Sequence, residues 1–184
     1  MTSWDGRTLL TTARLTLRTF RRDDLPLYAA LNRDPAVYRW LGGEPISREW
    51  SDEIAAWAND CVDADGFGLV AVERTADSVF LGMCGLHHQE SFPDDVEAAW
   101  RLGSAHWGRG YATEAARAWV AHGFDVVGLE RIISTTDRDN VRSQAVMARL
   151  GMTYERDVRM VDDGQEFDAV LWSVSADAWD RSHR

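Results

Sequence analysis

The stretch Trp107-Gly108-Arg109-Gly110-Tyr111-Ala112-Thr113-Glu114 joins the end of one expected strand to the start of an expected helix. Two glycines two apart let the backbone approach a ligand closely, and the helix start offers unpaired N–H groups at the positive end of its dipole. Such a loop suits a pyrophosphate, or else it is simply a tight strand-to-helix turn. It is not a dinucleotide fingerprint or a Walker loop, because the third glycine and the lysine those motifs require are missing.

Working outward, Val96, Ala98, Trp100 and Leu102 alternate with Glu97, Ala99, Arg101 and Gly103, the period of a central strand. After the loop the period changes, and Ala112, Ala115, Ala116, Trp119 and Val120 form an apolar helical stripe running to Gly123. Beyond it, Arg131 to Thr136 reads as a strand and Asn140 to Leu150 as a helix ended by Gly151. Met152 to Val161 and Glu166 to Val174 read as a closing strand pair around an Asp-Asp-Gly turn. Upstream, Leu15 and Leu17 mark a first strand, and Asp23 and Asp24 open a helix that Pro35 interrupts. Trp50, Ile54, Trp57 and Cys61 recur at helical spacing, which predicts a second helix with Trp50 and Trp57 in the core. Phe67 to Arg74 and Val79 to Leu86 predict a hairpin across Thr75-Ala76-Asp77-Ser78, with a further turn at Pro93-Asp94-Asp95. The order implies an α/β fold with a mixed sheet covered on both faces, as one domain over residues 1–184.

The chain has 184 residues, a formal charge of −10 and no lysine, so every basic side chain apart from histidine is arginine. That excludes Schiff-base and pyridoxal-anchoring chemistry. Cys61 and Cys84 form no metal-type pair and read as buried reduced thiols. The acidic balance argues against nucleic acid as a partner. No apolar run is long enough for a membrane span and the start lacks a signal-peptide pattern, so a soluble, cytoplasmic protein is expected. Charge is uneven. Glu97 to Leu150 holds seven arginines and six carboxylates, a balance of +1 that leaves −11 for the rest. Arg109, Arg138 and Arg142 are the candidates for phosphate contacts in this half, or are ordinary surface pairs.

Two segments together, Ala99 to Ala115 and Asp137 to Met152, resemble the acyl-CoA-binding half of the GNAT-superfamily N-acetyltransferases. Arg14 to Leu25, Asn32 to Val37 and Leu81 to Leu86 are most similar to the RimJ/RimL-type branch, and the likeness runs from Leu9 to Trp172. The superfamily loop is Gln or Arg, two variable residues, Gly, one variable residue, then Gly or Ala. Gly110 and Ala112 match, whereas Trp107 holds the first position.

The resemblance implies a mostly antiparallel central sheet with a splayed strand pair. It implies that Gly108, Arg109, Gly110, Tyr111, Ala112 and Thr113 hold a pyrophosphate, that the strand at Trp100, Arg101 and Leu102 pairs with a pantetheine arm, and that Asn140 contacts the cofactor. The activity implied is direct transfer of an acetyl group from acetyl-CoA to a primary amine in a ternary complex, with no metal. The acceptor is a small-molecule amine or a peptide N-terminus. The alternatives are a non-catalytic acyl-CoA-binding regulatory module and a same-fold enzyme using succinyl-CoA or another donor. A homodimer through a late strand is left open.

Acyl transfer to an amine needs a proton acceptor and a proton source for the departing thiolate. Where many relatives carry a tyrosine to protonate sulfur, this chain has Met147. Ser143, three residues after Asn140, is the alternative, as an acid or as a group that orients the sulfur. For the base, Glu97 is the first choice, with His87, His88 and water as rivals. Trp40 and Trp50 flank a Gly-Gly-Glu-Pro turn and are candidates to line an acceptor pocket, while Arg39 and Arg48 point to an acceptor with an anionic group.

Overall fold

A computed structural model describes residues 2–162 and 165–183. Eight strands form one sheet in the order β1-β2-β3-β4-β5-β6-β8-β7. They are β1 (Thr8–Thr11), β2 (Leu15–Arg18), β3 (Leu69–Arg74), β4 (Val79–Gln89), β5 (Phe92–Leu102), β6 (Arg131–Asp137), β7 (Thr153–Asp162) and β8 (Gln165–Ser175). Every neighbouring pair is antiparallel except β5 and β6, which run parallel. The α-helices are α1 (Leu25–Asn32), α2 (Pro35–Tyr38), α3 (Arg48–Asp65), α4 (Tyr111–His122), α5 (Val141–Arg149) and α6 (Ala176–His183).

Alternation along the central strands builds a core on each face. Val70 and Val72 of β3 pack with Trp119, Val120, Met147 and Leu150 beneath α4 and α5. Leu69 and Ala71, one residue out of phase, pack with Phe20, Tyr28, Ala55, Ala58 and Met83 beneath α1 and α3. Helices therefore cover both faces, as the pattern implied.

Pro35 does interrupt the early helix. It opens α2, whose start is capped by the Asp34 carboxylate accepting from Ala36 N–H at 2.9 Å. The hairpin between β3 and β4 also forms as read. Three features differ. Pro93-Asp94-Asp95 is not the turn between β4 and β5; Gln89 opposes Phe92 and His88 opposes Val96, so those three residues are unmatched inside β5. Proline is tolerated there because β6 joins β5 only from Val96 onward. Strand β1 and helix α6 lie outside the predicted elements. Of the expected Asp-Asp-Gly turn, Asp163 and Gly164 lie outside the described residues.

The third difference is α3. Its buried residues are Ser51, Ala55, Ala58, Asn59 and Val62, while Trp50 and Trp57 are 46 % and 45 % exposed. A Cβ on Gly68 of the underlying chain would meet Ala58 O at 2.9 Å and Val62 Cγ2 at 2.8 Å. Only small residues fit at that distance, so the tryptophans are turned away from the sheet. The inner polar residues are bonded instead. Asn59 Oδ1 accepts from Phe20 N–H at 2.8 Å, and Ser51 Oγ accepts from Asn32 Nδ2 at 3.0 Å.

The β5–β6 ladder holds only two residue pairs, Val96 with Ile132 and Glu97 with Ile133. Beyond them the strands part, and the sheet opens into a cleft of about 2430 Å³.

Candidate active site

The opening of the cleft is set by local chain geometry. Gly108 and Gly110 have φ of +74° and +81°, a left-handed conformation that side chains resist. A Cβ on Gly108 would meet nothing within 4 Å. Gly110 is the N-cap of α4 but has no side chain with which to cap it, so the first N–H groups of α4 lack a side-chain acceptor at the cap. Tyr111 is buried with its ring under Arg14, 4.6 Å from guanidinium carbon to ring centroid, so only its main chain serves the loop. Ala112 and Thr113 follow in the first turn and line the cleft.

Arg14 holds the loop in place. Its Nη1 donates to Arg109 O at 3.0 Å, and its Nη2 pairs with the Glu114 carboxylate at 2.6 Å. Thr12 Oγ1 donates to the same carboxylate at 2.6 Å. Burial pushes the Glu114 carboxyl up, but the Thr12 and Arg14 hydrogen bonds outweigh it and hold the group below its ordinary value. No local spacing announces Arg14, which lies 95 residues before Arg109.

On the open side of β5, Trp100, Arg101 and Leu102 have no strand partner, since their only ladder is to Cys84, Met83 and Gly82 of β4. Trp100 and Arg101 are half-buried and Leu102 is buried. The Arg101 guanidinium is on the α1 side, donating to Tyr28 Oη and Asn32 Oδ1, both at 3.0 Å. Asn140 caps α5, its Oδ1 accepting from Ser143 N–H at 3.2 Å. The Ser143 side chain lines the cleft one turn from that cap. Arg138 is paired with Asp157, whereas Arg109 and Arg142 have no ion pair among the described residues.

At the apex of the splay sits Glu97, 4 % exposed. Its Oε1 accepts from Thr135 N–H at 2.7 Å and from Thr135 Oγ1 at 2.6 Å, and its Oε2 accepts from Gln89 Nε2 at 2.9 Å. His87 Nε2 is 3.3 Å from the same Oε2. Burial pushes this carboxyl up, but the hydrogen bond and charge of His87, with the Thr135 and Gln89 bonds, hold it below the ordinary range. Glu97 is thus held toward its ionised form, with both carboxylate oxygens hydrogen-bonded. Glu97 and His87 are brought together as one pair. His87 Nδ1 lies 3.0 Å from His88 O, so both ring nitrogens face oxygen. His88 also lines the cleft, and its ring meets Phe67 at 5.6 Å.

Next to His87 the wall is aromatic and acidic. Trp57 meets the imidazole edge-on at 6.0 Å, and Trp50, Glu53 and Ile54 continue the same outer face of α3 into the cleft. Glu44 and Glu90 line the same cleft, as does Glu166, which is paired with Arg159 at 2.7 Å. Arg48 is neutralised by Asp52 at 2.8 Å and offers no free cation to an anionic acceptor. Burial pushes the Cys84 thiol far up, and burial with Asp65 and Asp60 raises Cys61, so neither is a thiolate nucleophile.

Comparison with known proteins gives a consistent result. The family described as Acetyltransferase (GNAT) domain matches residues 14–153. The Aspergillus fumigatus FsC-acetyl coenzyme A-N(2)-transacetylase is 30 % identical over 192 residues, covering 95 % of this chain and 79 % of that one. The Bacillus subtilis protein YkkB is 31 % identical over 160 residues, covering 84 % and 91 %. In fold, Mycobacterium smegmatis RimJ, solved in complex with CoA-disulfide, superposes with a TM-score of 0.72 at 20 % identity, over 91 % of this chain and 87 % of that one.

Proposed function

Since the chain belongs to the GNAT acetyltransferase family and is an N-acetyltransferase, we propose that it moves an acetyl group from acetyl-CoA directly to a primary amine, with both substrates bound at once. The observation that carries this reading is the juxtaposition, in one cleft, of the uncapped glycine loop and the unpaired edge of β5 with the Glu97–His87 pair. The loop fits a diphosphate: its two left-handed glycines present main-chain N–H groups, and a side chain at Gly108 would point into open space. Gly108, Arg109, Gly110, Tyr111, Ala112 and Thr113 would hold it. The main chain of Trp100, Arg101 and Leu102 would pair with the pantetheine amides, at the edge where β6 has turned away. Asn140 contributes by fixing the start of α5. When bound, acetyl-CoA supplies a thioester carbon open to attack by an amine.

The residues of the chain divide the remaining work. Glu97 orients His87 and keeps a negative charge beside it, and the pair receives the proton that leaves the acceptor ammonium through water. Ser143 faces the departing sulfur from the first turn of α5, as orienting group and hydroxyl donor. The raised thiols of Cys84 and Cys61 favour direct transfer over an acyl-enzyme. The outer face of α3 favours a cationic amine with an apolar body, because Trp50 and Trp57 bracket Glu53 and Ile54. Likeness to the Aspergillus FsC-acetyl coenzyme A-N(2)-transacetylase supports the same donor and bond. No helix among the described residues is long and apolar enough to cross a membrane.

The test is thiol release from acetyl-CoA with a panel of amines and peptides, beside CoA binding followed by melting temperature. Acceptor-dependent release with an apolar primary amine is expected. CoA binding without release from any acceptor would leave a binding module, and absence of CoA binding would overturn the reading.

A further inference from the structure

Beside the glycine loop lies a second, smaller pocket of about 170 Å³, between the end of α2 and the start of α5. Two arginines line it, one from the end of α2 and one from α5, and each has its guanidinium carbon over a tryptophan ring. The Arg39 guanidinium is 4.6 Å from the Trp40 ring centroid, and that of Arg142 is 5.1 Å from Trp107. Neither arginine has an ion pair among the described residues.

A guanidinium seated over an aromatic ring is restrained by it and keeps N–H donors to meet an anion. The platform under Arg142 is itself fixed, because Trp107 Nε1 donates to Leu102 O at 2.7 Å. Trp107 directly precedes Gly108, so the pair of cations begins one residue from the loop expected to hold a diphosphate. Asp139 is the single carboxylate in the lining, which leaves the pocket with a net charge of +1. The volume admits a phosphate with part of its sugar.

We propose that Arg39 and Arg142 bind the 3′-phosphate of coenzyme A, so that the cofactor's nucleotide end is clamped between α2 and α5. The proposal rests on the acetyl-CoA reading above. It assigns to this site the one anionic group of the cofactor that the glycine loop leaves unmatched. An anionic acceptor is the competing occupant, but the pocket adjoins the loop, and the main cleft carries in its lining Glu44, Glu53 and Glu90, carboxylates without an ion pair among the described residues.

The experiment compares binding of CoA and 3′-dephospho-CoA by calorimetry in the wild type, Arg142→Ala and Arg39→Gln, with melting curves run on each variant. Both side chains are exposed, so folding should be unaffected. The wild type is expected to bind CoA at least about tenfold tighter than dephospho-CoA, as a charge-assisted contact implies. In each variant that ratio should shrink towards one through loss of CoA affinity alone, and Arg142→Lys should recover part of it. Equal affinities in the wild type, or variants that weaken both ligands alike, would overturn the proposal. So would variants that raise the acceptor KM while the ratio stands, since the arginines would then serve the acceptor. A wild type that binds neither ligand would instead bring down the acetyl-CoA reading on which the proposal rests.

Discussion

Glu97 and Thr135 are joined by two short hydrogen bonds, 2.7 Å to the main-chain N–H and 2.6 Å to the hydroxyl, across the point where β5 and β6 part. The carboxylate that positions His87 is thus also the staple at the head of the splay.

Glu97→Gln keeps the shape and removes the charge. With His87 no longer beside an anion, kcat is expected to fall by roughly 10²-fold or more. The acidic limb of the pH–rate profile should move, while CoA affinity changes little. His87→Gln should reproduce the loss in kcat. An unaltered profile in both variants would assign proton removal to solvent.

Stability against acid follows from the same carboxylate. Its native pKa lies below the ordinary 4.5, so as pH falls the unfolded chain takes up the proton first. The contribution of Glu97 is complete above about pH 4.5 and is lost as pH drops through the native value. Urea midpoints between pH 5 and pH 3 should fall more steeply for wild type than for Glu97→Gln. Parallel curves would contradict this.

Gly110→Asp places a negative charge at the N-terminus of α4 and forces a side chain into φ of +81°. The backbone strain alone costs about 1–2 kcal/mol. CoA affinity is expected to fall by more than about tenfold, since an anion is repelled where a phosphate is to be bound. Gly110→Ala separates the two effects: it carries the strain, with a Cβ 3.4 Å from Arg14 Nη2, and should retain measurable affinity.

Ser143→Ala should lower kcat severalfold and leave both CoA affinity and the melting temperature unchanged. The α5 cap uses the Ser143 main-chain N–H, which the substitution keeps. Asn140→Ala removes the acceptor in that bond and should cost about 1 kcal/mol of stability. Wild-type kinetics for Ser143→Ala would remove the serine from the mechanism.

The strand of Val96 to Leu102, the helix after Gly110 and the hairpin at Thr75 to Ser78 could be read in the sequence because each is a local period or turn. The loop was legible for the same reason: glycine two apart at a strand-to-helix junction is a short-range signal. Arg14 was not, because its place against Arg109 and Glu114 is created only when β2 is laid beside the head of α4. Thr135 was hidden likewise, on a strand that meets β5 through the crossover. The orientation of α3 was misread because tryptophan is the most apolar choice by surface area, whereas the space over Gly68 is decided by size. The row Ser51, Ala55, Ala58, Asn59 and Val62 was equally periodic, and it was the row that fitted.

That division of α3 has a consequence for how the protein can change. The inner row, closed against Gly68 and bonded to Phe20 and Asn32, carries the attachment of the helix to the sheet. Of the outer row, Trp50, Glu53 and Trp57 carry almost none of it, whereas Ile54 packs against the inner cluster. The three residues proposed to meet the acceptor can therefore be exchanged together without drawing on the stability of the fold, so new acceptor preferences lie a few tolerated substitutions away. A library randomised at those three positions should return mostly folded proteins, and one randomised at Ala55 and Ala58 mostly unfolded ones.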